Sequence, residues 1–438
     1  MAPTSFPKAS SMSESESQPL PREIDRRHFR AGEVVERALA ERPTHDTIDS
    51  IADWLVGSAI QKESGARAID EFAWRLLAAG FPLFRTTLHS GTLHPQFLGV
   101  NFVWWRDTGQ TVQTLVAHEV RDAVLYVNNT VLRVIEGGET IRRRLDVADS
   151  ELDISILHDL KVKGGTDYLA LPIASAHGRD YAVTYTTDRV GGFSEREIDE
   201  LTRLSQRLQS ACDSYRQRAL TRNLLNAYLG SNAGPKVLAG QIRRGTGEEL
   251  TVVLWSSDLR SFTERSDRLP GHRMVAILNA LFDAQATAIH KHGGEILKFI
   301  GDGLLAIFPI DSAGPPGHAA ENALYAAREA LDAVRRLADD SCMAGEPPLK
   351  VVVALHAGTV IYGNVGSADR LDFTVIGPAV NLVSRIEGVA KALDQPIVVS
   401  DDFARTCKRP LRSLGYHQFR GLATARELFA PDFSRAAE

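Results

Sequence analysis

The chain is short of several things, and each shortage excludes a class of protein. Its three cysteines, Cys212, Cys342 and Cys407, are scattered and odd in number. With no CxxC pair they exclude a disulfide framework and a cysteine-based zinc site, and they fit a reducing compartment. No run approaches the roughly 18 to 20 consecutive apolar residues of a membrane-spanning helix, and no basic segment followed by an apolar stretch marks a leader. There is no basic excess either: 50 Lys and Arg against 55 Asp and Glu leave a net charge of -5. A general nucleic-acid binder would need a positive surface to displace counterions. A soluble, cytoplasmic protein without a transmembrane segment or a nucleic-acid partner is expected, and there the Asn128-Asn129-Thr130 sequon carries no meaning.

What is present is length and alternation. A chain of 438 residues has room for two or three domains, each able to bury its own core. Residues 1–45 open with MAPTSFPKASSMSESESQPLPREIDRR, rich in Ser, Pro and Glu, and read as a flexible tail. From Thr47 the run TIDSIADWLVGSAIQ spaces Ile48, Ile51, Trp54 and Leu55 at helical intervals and opens a folded domain over 46–215. GVNFVWW, DAVLYVNN, TDYLALPIAS and RDYAVTYTTD are strand candidates, and a turn at His177-Gly178-Arg179 joins the last two into an antiparallel pair. The expectation is α+β. His89 and His94 in LHSGTLHPQ read as solvated loop side chains rather than metal or haem ligands. Trp104 and Trp105 must face opposite ways in a strand, one into the core and one toward a surface or interface.

GGFSEREIDELTRLSQRLQSACDSYRQRALTRNLLNAYLG follows, with Ser194 and Glu197 spaced as a capping box. Leu201, Leu204, Leu208, Ala211 and Tyr215 keep a, d, a, d, a spacing, which fits a short coiled coil and an amphipathic helix on its own domain equally well. GSNAGPK at 230–236 ends the helical pattern, so that 216–247 reads as a helical linker before a second domain over 248–432. The first domain resembles a GAF domain in the segment GGTDYLALPIASAHGRDYAVTYTTDRVGGFSEREIDELTRLSQRL, by its order of Leu-Pro-Ile strand, turn, strand and Gly-Phe-Ser-capped helix. That resemblance implies a sensory domain with a small-molecule or protein effector. Neither the cyclic-nucleotide signature of GAF domains nor a bilin-bearing cysteine is present, so the effector stays open.

In the second domain ELTVVLWSSDLRSFTERSD places Asp258 at a strand end, and KFIGDG places Asp302 in a tight turn. Taken singly, Asp258 could be a helix cap and Asp302 a turn residue. Two carboxylates at neighbouring strand ends can share hard cations, which in turn orient a nucleotide triphosphate. RLDFTVIGPAVNLVSRIEGVAK adds Asn381 and Arg385 four residues apart on one helix edge. An amide beside a guanidinium suits a phosphate or a developing oxyanion.

Together SSDLRSFT, KFIGDG, DFTVIGPAVNLVSR and GYHQFRGLATARELF resemble the class III nucleotidyl cyclase catalytic domain, over about residues 248–429. The resemblance implies a ferredoxin-like βαββαβ palm core and a homodimer, with Asp258 and Asp302 as metal ligands for two Mg2+ (or Mn2+) per site. It makes Lys298 and Thr374 the base-recognising pair, Asn381 the ribose contact and Arg385 the group at the α-phosphate. It also carries Arg420, Phe262 and Thr263 into the substrate-binding set. Lysine donates to N1 of adenine but meets a donor at N1 of guanine, so Lys298 with Thr374 favours ATP.

Adenylate cyclase activity, ATP to 3′,5′-cyclic AMP and pyrophosphate, is therefore expected. A catalytically silent nucleotide-binding dimer and a guanylate cyclase are the alternatives. Two positions depart from the family pattern: Ser261 stands where glycine is usual, and ALHAG at 354–358 replaces GIHxG. A homodimer would also turn the 194–229 helix into an interchain coiled coil.

Overall fold

The structure is a computed structural model that describes residues 29–92, 97–118, 130–148, 150, 152–175, 178–310, 317–421 and 424–433. It divides into two compact units, Met1–Asn223 and Leu224–Glu438.

The first unit runs β1 (Phe29–Glu36), α1 (Ile48–Val56), α2 (Gly65–Ala78), β2 (Arg85–Gly91), β3 (Phe97–Trp105), β4 (Gln110–Ala117) and α3 (Thr130–Gly137). It continues with β5 (Ile141–Arg144), α4 (Ser155–Val162), β6 (Asp167–Ser175), β7 (Gly178–Thr187) and α5 (Glu195–Leu229). The strands make one sheet in the order β1-β4-β3-β2-β7-β6-β5, antiparallel throughout. Helix starts are chemically marked: Thr47 and Ser64 accept the Ser50 and Arg67 amides at the heads of α1 and α2. Ser194 and Glu197 form the reciprocal box ahead of α5, with Ser194 N–H donating to Glu197 at 2.7 Å and Glu197 N–H to Ser194 Oγ at 3.3 Å. One sheet face packs Leu88, Phe102, Trp104, Val183 and Tyr185 against α1, α2 and α5. The other meets α3 and α4 through Val134, Leu157, Leu160, Tyr168 and Ala170.

Three expectations change here. The tail predicted over 1–45 is shorter, because Phe29–Glu36 is an edge strand paired with β4 and Arg37 reaches buried Asp70 at 2.7 Å. His89 is no loop residue. It lies in β2 with Nε2 2.8 Å from Thr87 Oγ1 and Nδ1 2.9 Å from Asn101 Oδ1, and burial pushes its pKa down to about 4. Leu201, Leu204, Leu208 and Ala211 are buried in their own unit's core, and Tyr215 donates to the carbonyls of Ala59 and Lys62. The stripe is thus that of an amphipathic helix on its own domain, not the seam of an interchain coiled coil. Trp104 is fully buried and Trp105 half-buried, as alternation requires. His94, the DAVLYVNN segment and residues 1–28 lie outside the described residues, as do Asn128, Asn129 and His177.

In the second unit α5 ends at Leu229 and α6 (Ala233–Leu238) follows, so the segment 230–236 interrupts the helix at Gly230 (φ 89°) and then starts a new one. Next come β8 (Gly247–Leu259), α7 (Phe262–Arg268), α8 (Gly271–Lys291), β9 (Glu295–Ile300), β10 (Gly303–Pro309) and α9 (His318–Arg336). They are followed by β11 (Val351–Gly366), β12 (Leu371–Ile376), α10 (Pro378–Ala392), β13 (Ile397–Ser400), α11 (Asp401–Thr406), β14 (Leu411–His417) and β15 (Arg426–Pro431). The central strands lie in the order β11-β8-β10-β9, all antiparallel, with α8 after the first and α9 after the third. This is the βαββαβ core that the sequence implied. Both faces of the sheet are covered. Val253, Trp255, Leu304, Ala306 and Phe308 face α8 and α9, whereas Val252, Leu254, Leu305 and Ile307 face Leu382, Val383 and Ile386 of α10.

Candidate active site

Strand alternation sets where Asp258 points. Val252 and Leu254 of β8 face α10, so Ser256 and Asp258 on the same parity do as well. Ser256 Oγ donates to Glu387 of α10, and Lys391 Nζ, one turn further on, lies 2.7 Å from Asp258 and 3.1 Å from Glu387. Asp302 comes to the same place through the β9-β10 turn. Ile300 pairs directly with Gly303, which leaves Gly301 (φ 62°) and Asp302 to close the turn. A Cβ at Gly303 would stand 2.8 Å from the Ser257 carbonyl, so only glycine lets the turn lie against β8.

The two carboxylates are therefore neighbours. Burial, and then the charge of Asp258, push the Asp302 carboxyl above its ordinary range, with Lys391 opposing. Burial works against the Lys391 charge too, but its bonds to Asp258 and Glu387 outweigh it and hold the ammonium above its usual value. Two mutually repelling carboxylates beside one lysine of α10 suit a hard divalent cation. Among the described residues no cluster of three or more His, Cys, Asp or Glu side chains stands ready for a metal. A cation held by Asp258 and Asp302 would complete its shell with water and phosphate oxygens, as magnesium does.

A second group forms where β9 faces β12. Lys298 forms an ion pair with Asp372, not with Asp302 four residues along its own hairpin. Thr374, two residues from Asp372 and so on the same face of β12, is buried with its Oγ1 lacking any hydrogen-bond partner. A buried hydroxyl without a partner is costly unless a ligand supplies one.

Asn381 and Arg385 lie exposed near the start of α10, where Gly377 and Pro378 begin the helix. Ten residues at about 1.5 Å each put Asn381 about 15 Å along the helix axis from Lys391. The Arg385 guanidinium lies 3.9 Å from where a Gly421 Cβ would be, beside exposed Arg420. Phe262 and Thr263 open α7, the former packed partly into the core and the latter exposed. Ser261 ahead of them has φ 58° and ψ 31°, left-handed backbone, and makes no side-chain cap.

The predicted residues thus gather as Asp258 with Asp302, Lys298 with Thr374, and Asn381 with Arg385 near Arg420. Asp372, Glu387 and Lys391 were not expected. The i, i+4 spacing of Glu387 and Lys391, two and six residues past Arg385, was the available signal.

Residues 246–420 match the family model described as the adenylate and guanylate cyclase catalytic domain. An adenylate cyclase of Anabaena cylindrica is 31% identical over 173 residues, covering 39% of this chain and 33% of that protein. Adenylate cyclase 1 of Rhizobium meliloti (strain 1021) is 30% identical over 186 residues, 42% of this chain and 27% of that protein. The chain thus spans about a third of the length of the curated relatives it matches. Among solved structures, the adenylyl cyclase CyaB from P. aeruginosa aligns at 25% identity and a TM-score of 0.40, over 43% of this chain and 97% of that one. The guanylyl cyclase Cya2 aligns at 28% identity and a TM-score of 0.37, over 42% and 92%. No helix among the described residues is long and apolar enough to cross a membrane. The matched span contains β8 to β12 and α10, and with them every candidate residue discussed, so residues 246–420 form a catalytic domain of the adenylate and guanylate cyclase family.

Proposed function

We propose that the protein is an adenylate cyclase that converts ATP to 3′,5′-cyclic AMP and pyrophosphate at sites shared between two copies of the chain. The observation that carries this reading is the separation of the candidate residues into two groups. Asp258 and Asp302 meet beside Lys391 at the end of α10. Lys298, Thr374, Asn381 and Arg385 lie on β9, β12 and the start of the same helix. Two chains related by a two-fold axis would bring the first group of one copy to the second group of the other and so form two equivalent sites.

In such a site Asp258 and Asp302 would hold the divalent cations, which supply charge neutralisation at the triphosphate when bound. Lys298 donates to adenine N1, and the unpartnered Thr374 hydroxyl, on the β12 face that carries Asp372, the ion-pair partner of Lys298, meets the base edge. Asn381 orients the ribose so that its 3′-oxygen lies in line with the α-phosphate, and the exposed Arg385 guanidinium takes up the charge growing there. Arg420, next to Arg385, meets the terminal phosphates, and Phe262 and Thr263 line their approach.

The first unit is read as a GAF-like sensory module. Its antiparallel sheet between two helical layers supports this, as does α5, which leaves that unit's core and continues unbroken to Leu229.

The test is direct. Purified full-length protein is incubated with Mg-ATP or Mn-ATP, in parallel with GTP, and the products are separated. Cyclic AMP in excess of cyclic GMP is expected. No product from protein shown to be dimeric overturns the catalytic reading, and a preference for GTP overturns the use made of Lys298 and Thr374.

A further inference from the structure

The sheet face of the first unit that meets α3 and α4 is built unlike the apolar face behind it. Register sets Trp105, Arg85, Thr186 and Tyr168 in one row across β3, β2, β7 and β6. The next rows hold Val103, Thr87, Thr184 and Ala170, then Asn101, His89, Ala182 and Pro172. Polar groups of these two rows satisfy one another: Thr87 Oγ1 lies 2.6 Å from Thr184 Oγ1 and 2.8 Å from His89, which reaches Asn101. The Tyr168 hydroxyl is 3.0 Å from Thr130 Oγ1 of α3.

The first row breaks this pattern at its centre. Arg85 is only 9% exposed, yet its Nε has no hydrogen-bond partner, and the Oγ1 of its cross-strand neighbour Thr186, fully buried, has none either. No carboxylate pairs with Arg85 among the described residues. Its guanidinium instead lies over the Trp105 ring, 5.0 Å from the centroid. Burial drags the Arg85 pKa down to about 10, which still leaves it charged at neutral pH, whereas His89 is neutral there. A buried cation without an anion is half of an ion pair, and a fold retains it at a cost in stability.

We propose that this face binds a small organic carboxylate, with the Arg85 guanidinium and the Thr186 hydroxyl donating to its oxygens and the Trp105 and Tyr168 rings flanking its body. A planar carboxylate matches the guanidinium fork. Arg85 is the one buried cation of the three rows; Lys163, whose ammonium lies 4.3 Å from the Trp105 centroid, is exposed to water, and Arg143 beside Tyr168 is paired with Asp153, so the buried charge left to balance is that of Arg85. A monoanion balances it. The site owes nothing to the cyclase reading and stands or falls apart from it.

The experiment uses the full-length protein with benzoate as probe, benzamide as its neutral counterpart and inorganic phosphate as the competing anion. Binding is followed by calorimetry, and small molecules carried through purification are identified after acid extraction. Benzoate, or an extracted organic acid, should bind at least tenfold more tightly than its neutral amide or phosphate. Arg85→Met should weaken it more than tenfold, Thr186→Val less so, and Arg85→Lys should keep part of the affinity. In ligand-free buffer Arg85→Met should melt no lower than wild type, because it removes an unpaired charge and keeps the volume. The proposal fails if no carboxylate binds or is extracted, if phosphate binds more tightly, or if Arg85→Met melts lower, which would make Arg85 a structural residue.

Discussion

Lys298 is paired with Asp372 across β9 and β12 and makes no bond to Asp302, although the two share a hairpin. Asp302 answers instead to Asp258 and Lys391. The cation and the anion of KFIGDG therefore belong to different neighbourhoods. In the proposed site Lys298 reads the base, and Asp372, which holds its ammonium, is then a positioning residue. Removing its charge frees Lys298 to wander without touching Thr374. Asp372→Asn is expected to lower kcat/KM for ATP about tenfold, equivalent to about 1.4 kcal/mol, and to narrow the preference for ATP over GTP. A purely structural Asp372 would instead lower the rates with both nucleotides equally, so the ratio of the two specificity constants decides.

Ser261 occupies a left-handed backbone position at the start of α7 without a capping bond. For an L side chain that conformation costs about 1–2 kcal/mol, which glycine escapes. Part of this is returned through the greater freedom of glycine in the unfolded chain. Ser261→Gly should raise the stability of the catalytic unit by about 0.5–1 kcal/mol, read as a shift in the denaturant midpoint at constant slope, and Ser261→Ala should not. The usual glycine at this place thus has a backbone reason, and serine departs from it in conformational cost rather than by blocking the turn.

Legibility in the sequence followed the range of the interaction. The Ser194-Glu197 box was readable because its donors and acceptors sit three residues apart, and the βαββαβ core was implied by the family resemblance that the motifs carry. Asp258 and Asp302 were readable as strand-end and turn carboxylates. Asp372 was not, because its pairing with Lys298 requires β12 to fold back from β11 across to β9, a juxtaposition that no local pattern encodes. The same holds for β1: FRAGEVVE carries too little apolar alternation to stand out, and only the exposed edge of β4 makes it a strand. The α5 stripe was ambiguous for a related reason, since period 3.5 and period 3.6 diverge by only about 20° per heptad. Its partner could be decided only by the core it enters.

His89 offers a pH signature for the first unit. Its pKa is about 4 in the folded chain against about 6.5 unfolded. Between those values the unfolded state binds more protons, so this contribution is fully present above about pH 6.5 and is lost as pH falls toward 4. The loss amounts to about 1–3 kcal/mol, reduced by the partial exposure of the ring. Stability of the full-length protein measured by denaturant at intervals from pH 4 to pH 7 should show this slope. His89→Gln, which keeps polar atoms for Thr87 and Asn101, should flatten it. An unchanged slope would mean that other groups carry the acid sensitivity.

The proposed division of labour between two chains would have a consequence that no single-chain site can imitate. Asp302→Ala removes a carboxylate from the group beside Lys391, and Lys298→Ala removes the base reader from the other group. Each homodimer would then carry two defective sites, with activity expected to fall by at least about 100-fold. In a mixed dimer of the proposed kind one site would collect both lesions and the other none, because each would draw its carboxylates from one copy and its lysine from the other. Mixing the two variants under conditions that allow exchange should therefore restore up to about a quarter of wild-type activity: half the dimers are mixed, and half their sites are intact. Recovery should track the fraction of mixed dimers, measured independently with two differently tagged chains. If mixed dimers form and activity stays at the level of the separate variants, both groups serve one chain, and the shared-site reading is wrong.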